Sequence, residues 1–228
     1  MAVDQQRVAR AGPGSPRRGS ALDDGASSMS GGSAGNERLT AVTGSVLLLP
    51  LAVIGLTLLR LQPLMSVHFF VGMMLIGPVA LKLASTGYRF TRYYTGDPVY
   101  RRKGPPPALL RAIAPIVVAS TVVVLASGVA LLFAGPSSRD TLLPIHKISF
   151  IVWAAFTGLH LLGHLPATPG ALRGDFGRSK LGDDVPGRSG RLLSLVGALV
   201  AGVVLAVLVL PEFGAWLHSP GVFDHHHG

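Results

Sequence analysis

The chain has 228 residues, of which 49% are hydrophobic and only 14% charged, with a formal net charge of +9 and no cysteine. Soluble domains carry about a quarter charged residues, so this composition argues against an ordinary water-soluble domain, and the missing cysteines exclude disulfides, thiolate metal sites and iron–sulfur ligation. The positive residues sit in loops beside apolar blocks, which points to orientation in a lipid bilayer and away from a nucleic-acid partner.

Residues 1–38 are rich in Gly, Ser, Ala and Arg without apolar periodicity, and they read as a disordered cytoplasmic tail. The tail lacks the apolar stretch of a cleavable signal sequence. A membrane domain over residues 39–211 follows, with five apolar blocks of the roughly 20 residues that the hydrocarbon core requires. The first span is expected at 40–61. A short turn at Gln62-Pro63 leads to the second at 64–86. The third covers 109–134. The fourth covers 143–165, with Pro144 at its start and Pro166 at its end, where proline is tolerated. The fifth covers 192–210 and stops at Pro211, leaving 212–228 as a short extracytoplasmic tail.

The lysines and arginines follow this partition. Five lie in the N-terminal tail, six in the loop after span two and five in the loop after span four, whereas the opposite side has only Arg60, Arg139 and Lys147. Sixteen against three is a positive-inside bias. It predicts a multi-pass membrane protein with its N-terminus in the cytoplasm and its C-terminus outside. An odd number of spans requires the same arrangement.

Ionisable residues inside spans mark functional sites by default, because burying charge in hydrocarbon is costly. Away from their ends, spans one, three and five hold none. Span two holds His68 and Lys82, and span four holds His146, Lys147, His160 and His164. His68 and Lys82 are 14 positions apart, as are His146 and His160. At about 100° per residue, 14 residues fall about 40° short of four turns, so each pair shares a helix face with a rise of about 21 Å between its members. Spans two and four run in the same direction, which sets His68 level with His146 and Lys82 level with His160. Helix bundles build cofactor sites from facing side chains, and two neutral imidazoles across a gap suit the axial positions of haem iron. Gly72 in span two and Gly128 in span three are small enough to let a flat macrocycle approach a backbone, and they serve equally well as ordinary helix–helix contacts.

On these residues the chain resembles a di-haem membrane cytochrome b and is most similar to the bacterial cytochrome b561 and hydrogenase b-type subunit group, over residues 64–165. The resemblance implies an all-α integral membrane bundle with a four-helix cytochrome b-like core inside its five spans. It implies haem b held between spans two and four, and a role as an electron-transfer subunit rather than a self-contained enzyme. Quinone or a redox protein is the expected partner. His68, His146 and His160 match the family's ligand pattern. Lys82 stands where a fourth histidine is expected, so a second haem requires Lys82 or His164 opposite His160, or is lost.

Each residue also has a plainer reading. His68 and His146 can sit at the membrane boundary, Lys82 can snorkel to the interface, and Tyr88, Tyr93, Tyr94 and Tyr100 fit an interfacial aromatic belt. The alternative function is a haem-free transporter or scaffold whose buried histidines form a proton or metal path. The terminal run His225-His226-His227 could bind a metal ion or belong to a solvated tail.

Overall fold

The computed structural model of the chain describes residues 32–102, 108–164 and 187–218. The expected tail before residue 32, most of the loop after span four and the terminal histidine run lie outside these residues. Within them the protein is helical throughout: α1 (Gly32–Thr57), α2 (Met65–Tyr94), α3 (Pro98–Arg102), α4 (Ala108–Ala134), α5 (Arg139–His164), α6 (Arg188–Leu208) and α7 (Phe213–Leu217). Five of these, α1, α2, α4, α5 and α6, are long and apolar enough to cross a membrane. Their outer surfaces keep large apolar side chains exposed, Leu59 at 79% and Leu193 at 74%. Such surfaces need lipid as their solvent, and helices satisfy every backbone hydrogen bond internally, as lipid demands.

The five spans fall where the apolar blocks lie, but two helices are longer than the blocks. α1 starts at Gly32, ahead of the apolar block. α2 continues past Thr86 to Tyr94, because nothing in Gly87–Tyr94 breaks a helix and the stop comes only at Gly96, whose φ of +92° suits glycine. The Thr95 N–H donates to the Thr91 carbonyl at this end. Asp97 then starts α3: its Oδ1 accepts from the backbone N–H of Val99 at 2.9 Å and of Tyr100 at 3.4 Å, and Pro98 occupies the first helical position, where no N–H is needed. α4 ends at Gly135, with φ +71°, and a 3-10 turn at Pro136–Ser138 leads into α5.

α2 packs along both α1 and α6, and α4 packs along α5, whereas the two groups touch each other only slightly. The α2–α6 crossing is closed by glycines. A Cβ on Gly77 would strike the Ala198 carbonyl, and one on Gly202 would strike the Met74 carbonyl. Small residues allow this approach, which in lipid must be held by packing rather than by a hydrophobic force between helices.

The turn end of the bundle carries the larger core. Met65 and Met73 of α2, Leu131 and Leu132 of α4, Ala206 and Val209 at the end of α6, and Phe213 and Trp216 of α7 form one buried cluster. The first residues of the segment expected to be a short tail form α7 and pack on the core: Trp216 donates its indole N–H to the Leu131 carbonyl at 3.2 Å, and Phe69 lies edge-on to both Phe213 and Trp216. The opposite, basic end holds the last turns of α2, α3 and the start of α6.

Candidate functional site

His68 lies one turn into α2 and His146 two turns into α5, so both sit near the turn end. Their rings are brought together across the boundary between the two helix groups, with centroids 6.4 Å apart and planes nearly perpendicular at 86°. Both side chains are half-buried.

Hydrogen-bond accounting fixes the tautomer of each ring. The Nδ1 of His146 lies 3.1 Å from the Val124 carbonyl and 3.1 Å from Ser127 Oγ. A carbonyl only accepts, so Nδ1 carries the proton. Ser127 Oγ itself donates to Val124 O at 3.1 Å. The Nδ1 of His68 lies 2.8 Å from Thr57 Oγ1, and that hydroxyl lies 2.6 Å from the Ile54 carbonyl. A threonine hydroxyl has one hydrogen. Spent on Ile54, it leaves a lone pair to accept Nδ1–H of His68. In the neutral imidazole both Nε2 atoms then carry lone pairs, and among the described residues neither makes a hydrogen bond. Thr57 and Ser127 are themselves buried, at 2% and 7% exposure. The two hydroxyls were invisible as site residues in the sequence, where an apolar chain has many serines and threonines. The only signal was a hydroxyl in a neighbouring span at the depth of each histidine.

The glycines find different uses. Gly128 lies under His146: a Cβ there would sit 3.1 Å from the ring's Cε1, so the missing side chain gives the imidazole its seat on α4. Gly72 faces the Ile54 side chain of α1 at 3.7 Å, an ordinary helix contact away from His146.

The level nearer the basic end is built otherwise. Lys82 reaches across to α1, where its ammonium donates to the Thr40 carbonyl at 2.5 Å and lies over Gly44. Around it Asn36 Nδ2 donates to the Ser85 carbonyl at 3.0 Å, Thr40 Oγ1 lies 3.0 Å from Ser85 Oγ, and Ser85 Oγ lies 3.0 Å from the Lys82 carbonyl. Arg89 faces Glu37 at 3.7 Å. These groups clasp α1 to α2. His160 is half-buried on α5. His164 is the last residue of α5, and its side chain lies outside the described residues.

Chemically, the turn end offers two imidazoles, each oriented by a hydroxyl from a different helix and each with an unprotonated nitrogen to give. Two imidazoles held by one metal, at metal–nitrogen distances of about 2 Å, would have ring centroids roughly 6 Å apart. That is the separation found. No group of three or more histidine or acidic side chains that could hold a bare metal ion occurs among the described residues. A macrocycle that brings its own nitrogens would ask for only two protein ligands, which His68 and His146 could supply. No family model, curated protein or solved structure matches this chain.

Proposed function

We propose that this chain is a membrane electron-transfer protein that would hold one b-type haem between α2 and α5 through His68 and His146. The observation that carries the reading is the pair of oriented imidazoles, with centroids 6.4 Å apart, their Nδ1 atoms occupied by Thr57 and by Ser127 with Val124. The position of both histidines near the start of spans that run in the same direction supports the same reading. When bound, the haem supplies reversible one-electron chemistry at iron.

The protein's own residues do the rest. Thr57 and Ser127 hold the imidazoles in the tautomer that can ligate, and such outer hydrogen bonds also raise ligand basicity. Phe69, Met65 and the α7 aromatics exclude water from the turn end. Lys82 fastens α1 to α2 in this reading and is not a ligand. The positive-inside bias places the basic end in the cytoplasm and the His68–His146 level near the outer face, where quinone or a redox protein exchanges electrons.

The test is a reduced-minus-oxidised spectrum of the purified full chain with a haem-to-protein ratio. A Soret band at one haem per chain is expected, and it disappears in His68→Ala and in His146→Ala. A protein that binds zinc or copper without a Soret band, or a band unchanged in both variants, overturns the reading.

A further inference from the structure

At the basic end, the structure points to a second feature that is independent of the histidines. α2 has 30 residues, and at 1.5 Å per residue it is about 45 Å long, the thickness of a bilayer with its headgroups included. With Met65 at one boundary, the last turn of α2 would lie at the depth of the lipid phosphates on the other side. Tyr93 and Tyr94 stand there ring to ring, with centroids 5.2 Å apart.

Two arginines converge on this tyrosine pair from different helices. Arg101 of α3 donates its Nε–H to the Tyr93 carbonyl at 3.5 Å, which leaves the terminal guanidinium nitrogens for another acceptor. Arg111 of α4 lies over the Tyr94 ring, 5.8 Å from its centroid. Arg102 is tied to the Pro98 carbonyl alongside. The nearby acid is already engaged: Asp97 pairs with Arg92 at 2.8 Å. Among the described residues, none of Arg101, Arg102 and Arg111 has a carboxylate partner. Phe90 borders the same surface, its ring 4.4 Å from that of Tyr94 and 62% exposed, as expected where the hydrocarbon begins.

We propose that Arg101 and Arg111, braced on Tyr93 and Tyr94 and supported by Arg102, bind the phosphate of an anionic phospholipid. A guanidinium matches a phosphate bidentately, the helix length puts phosphates at this depth, and Phe90 beside Tyr94 offers an acyl chain a surface. This apolar neighbour distinguishes a lipid from a soluble anion or a protein acid as the occupant. The Arg101 site joins α3 to α2 and the Arg111 site joins α4 to α2, so the lipid cements the loosely joined helix groups at the end opposite the histidines.

The full chain, purified in a non-ionic detergent, is titrated with phosphatidylglycerol or phosphatidylcholine and examined by native mass spectrometry. The wild-type protein is expected to retain phosphatidylglycerol in preference to phosphatidylcholine. The double variant Arg101→Gln/Arg111→Gln is expected to lose that preference by roughly tenfold or more. Arg60→Gln/Arg139→Gln, at the other end, is expected to keep it. Thermal unfolding of the wild type provides a readout that does not depend on the variants folding: phosphatidylglycerol should raise the transition, whereas inorganic phosphate should not. Equal retention of the two lipids, retention unchanged in the Arg101/Arg111 variant, loss in the Arg60/Arg139 variant, or equal stabilisation by inorganic phosphate each overturns the proposal.

Discussion

Two hydroxyl groups settle the chemistry of the candidate site. Histidine presents a lone pair on one nitrogen only when the other holds the proton, and a buried ring takes whichever tautomer its neighbours impose. The neighbours are unequal here. His68 depends on Thr57 alone for an Nδ1 acceptor. His146 has both Ser127 and the Val124 carbonyl, and the carbonyl cannot be mutated away. Thr57→Val keeps the shape of the side chain but leaves His68 Nδ1–H without its partner, whereas Ser127→Ala leaves His146 with Val124. Haem affinity should fall on the order of tenfold in Thr57→Val and by less in Ser127→Ala. The midpoint potential should rise in the same order, because a weaker outer hydrogen bond makes imidazole a poorer donor to oxidised iron. A redox titration of the purified variants checks both orders, and a larger effect in Ser127→Ala would contradict the hydrogen-bond accounting.

Among the elements, the α2–α6 contact is the one with least freedom. Gly77 and Gly202 meet the partner backbone directly, and a backbone carbonyl cannot swing aside as a side chain can. Gly77→Ala or Gly202→Ala must push the helices apart, an overpacking cost on the order of 2 kcal/mol. Gly55→Ala and Gly197→Ala point into open space, and they should be neutral or slightly stabilising, since alanine is the better helix former. Thermal unfolding of the four variants in one detergent separates the groups, and similar transitions in all four would show the crossing to be looser than its geometry. The same elements show what the sequence could reveal. Apolar block length located all five spans, because hydrocarbon thickness fixes it. It could not locate the end of α2, because hydropathy follows the lipid, whereas the helix follows its caps at Gly96 and Asp97. His68 and His146, each near the start of a span running the same way, meet at one level, yet Lys82, 14 residues beyond His68, is not aimed at α5. Lys82 turns to α1 because Gly44 leaves room there and Thr40 offers a carbonyl. Which neighbour a helix face meets is a tertiary matter that periodicity does not encode.

For the molecule as a whole, the decisive fact is the division into α1, α2 and α6 on one side and α4 with α5 on the other, packed well within each group and slightly between them. Contacts between the groups concentrate at the turn end, where Leu131 and Leu132 enter the shared core and α7 straps α4 through Trp216. The His68–His146 pair spans the same boundary, one imidazole from each group. A ligand bound by both rings must therefore resist separation of the groups and stabilise the entire fold, whereas one held within a single group would leave the boundary as weak as before. Saturation about a hundredfold above the dissociation constant contributes about 2.7 kcal/mol, which for a chain of this size is a rise of roughly 5–10 °C in the unfolding midpoint. Adding haem to the haem-free protein should produce this rise in the wild type and not in His68→Ala or His146→Ala. Either variant alone should abolish it, because one remaining ligand sits in one group and bridges nothing. A full rise in a single-histidine variant would mean that haem binds without joining the groups, and the boundary between α2 and α5 would lose its role as the site.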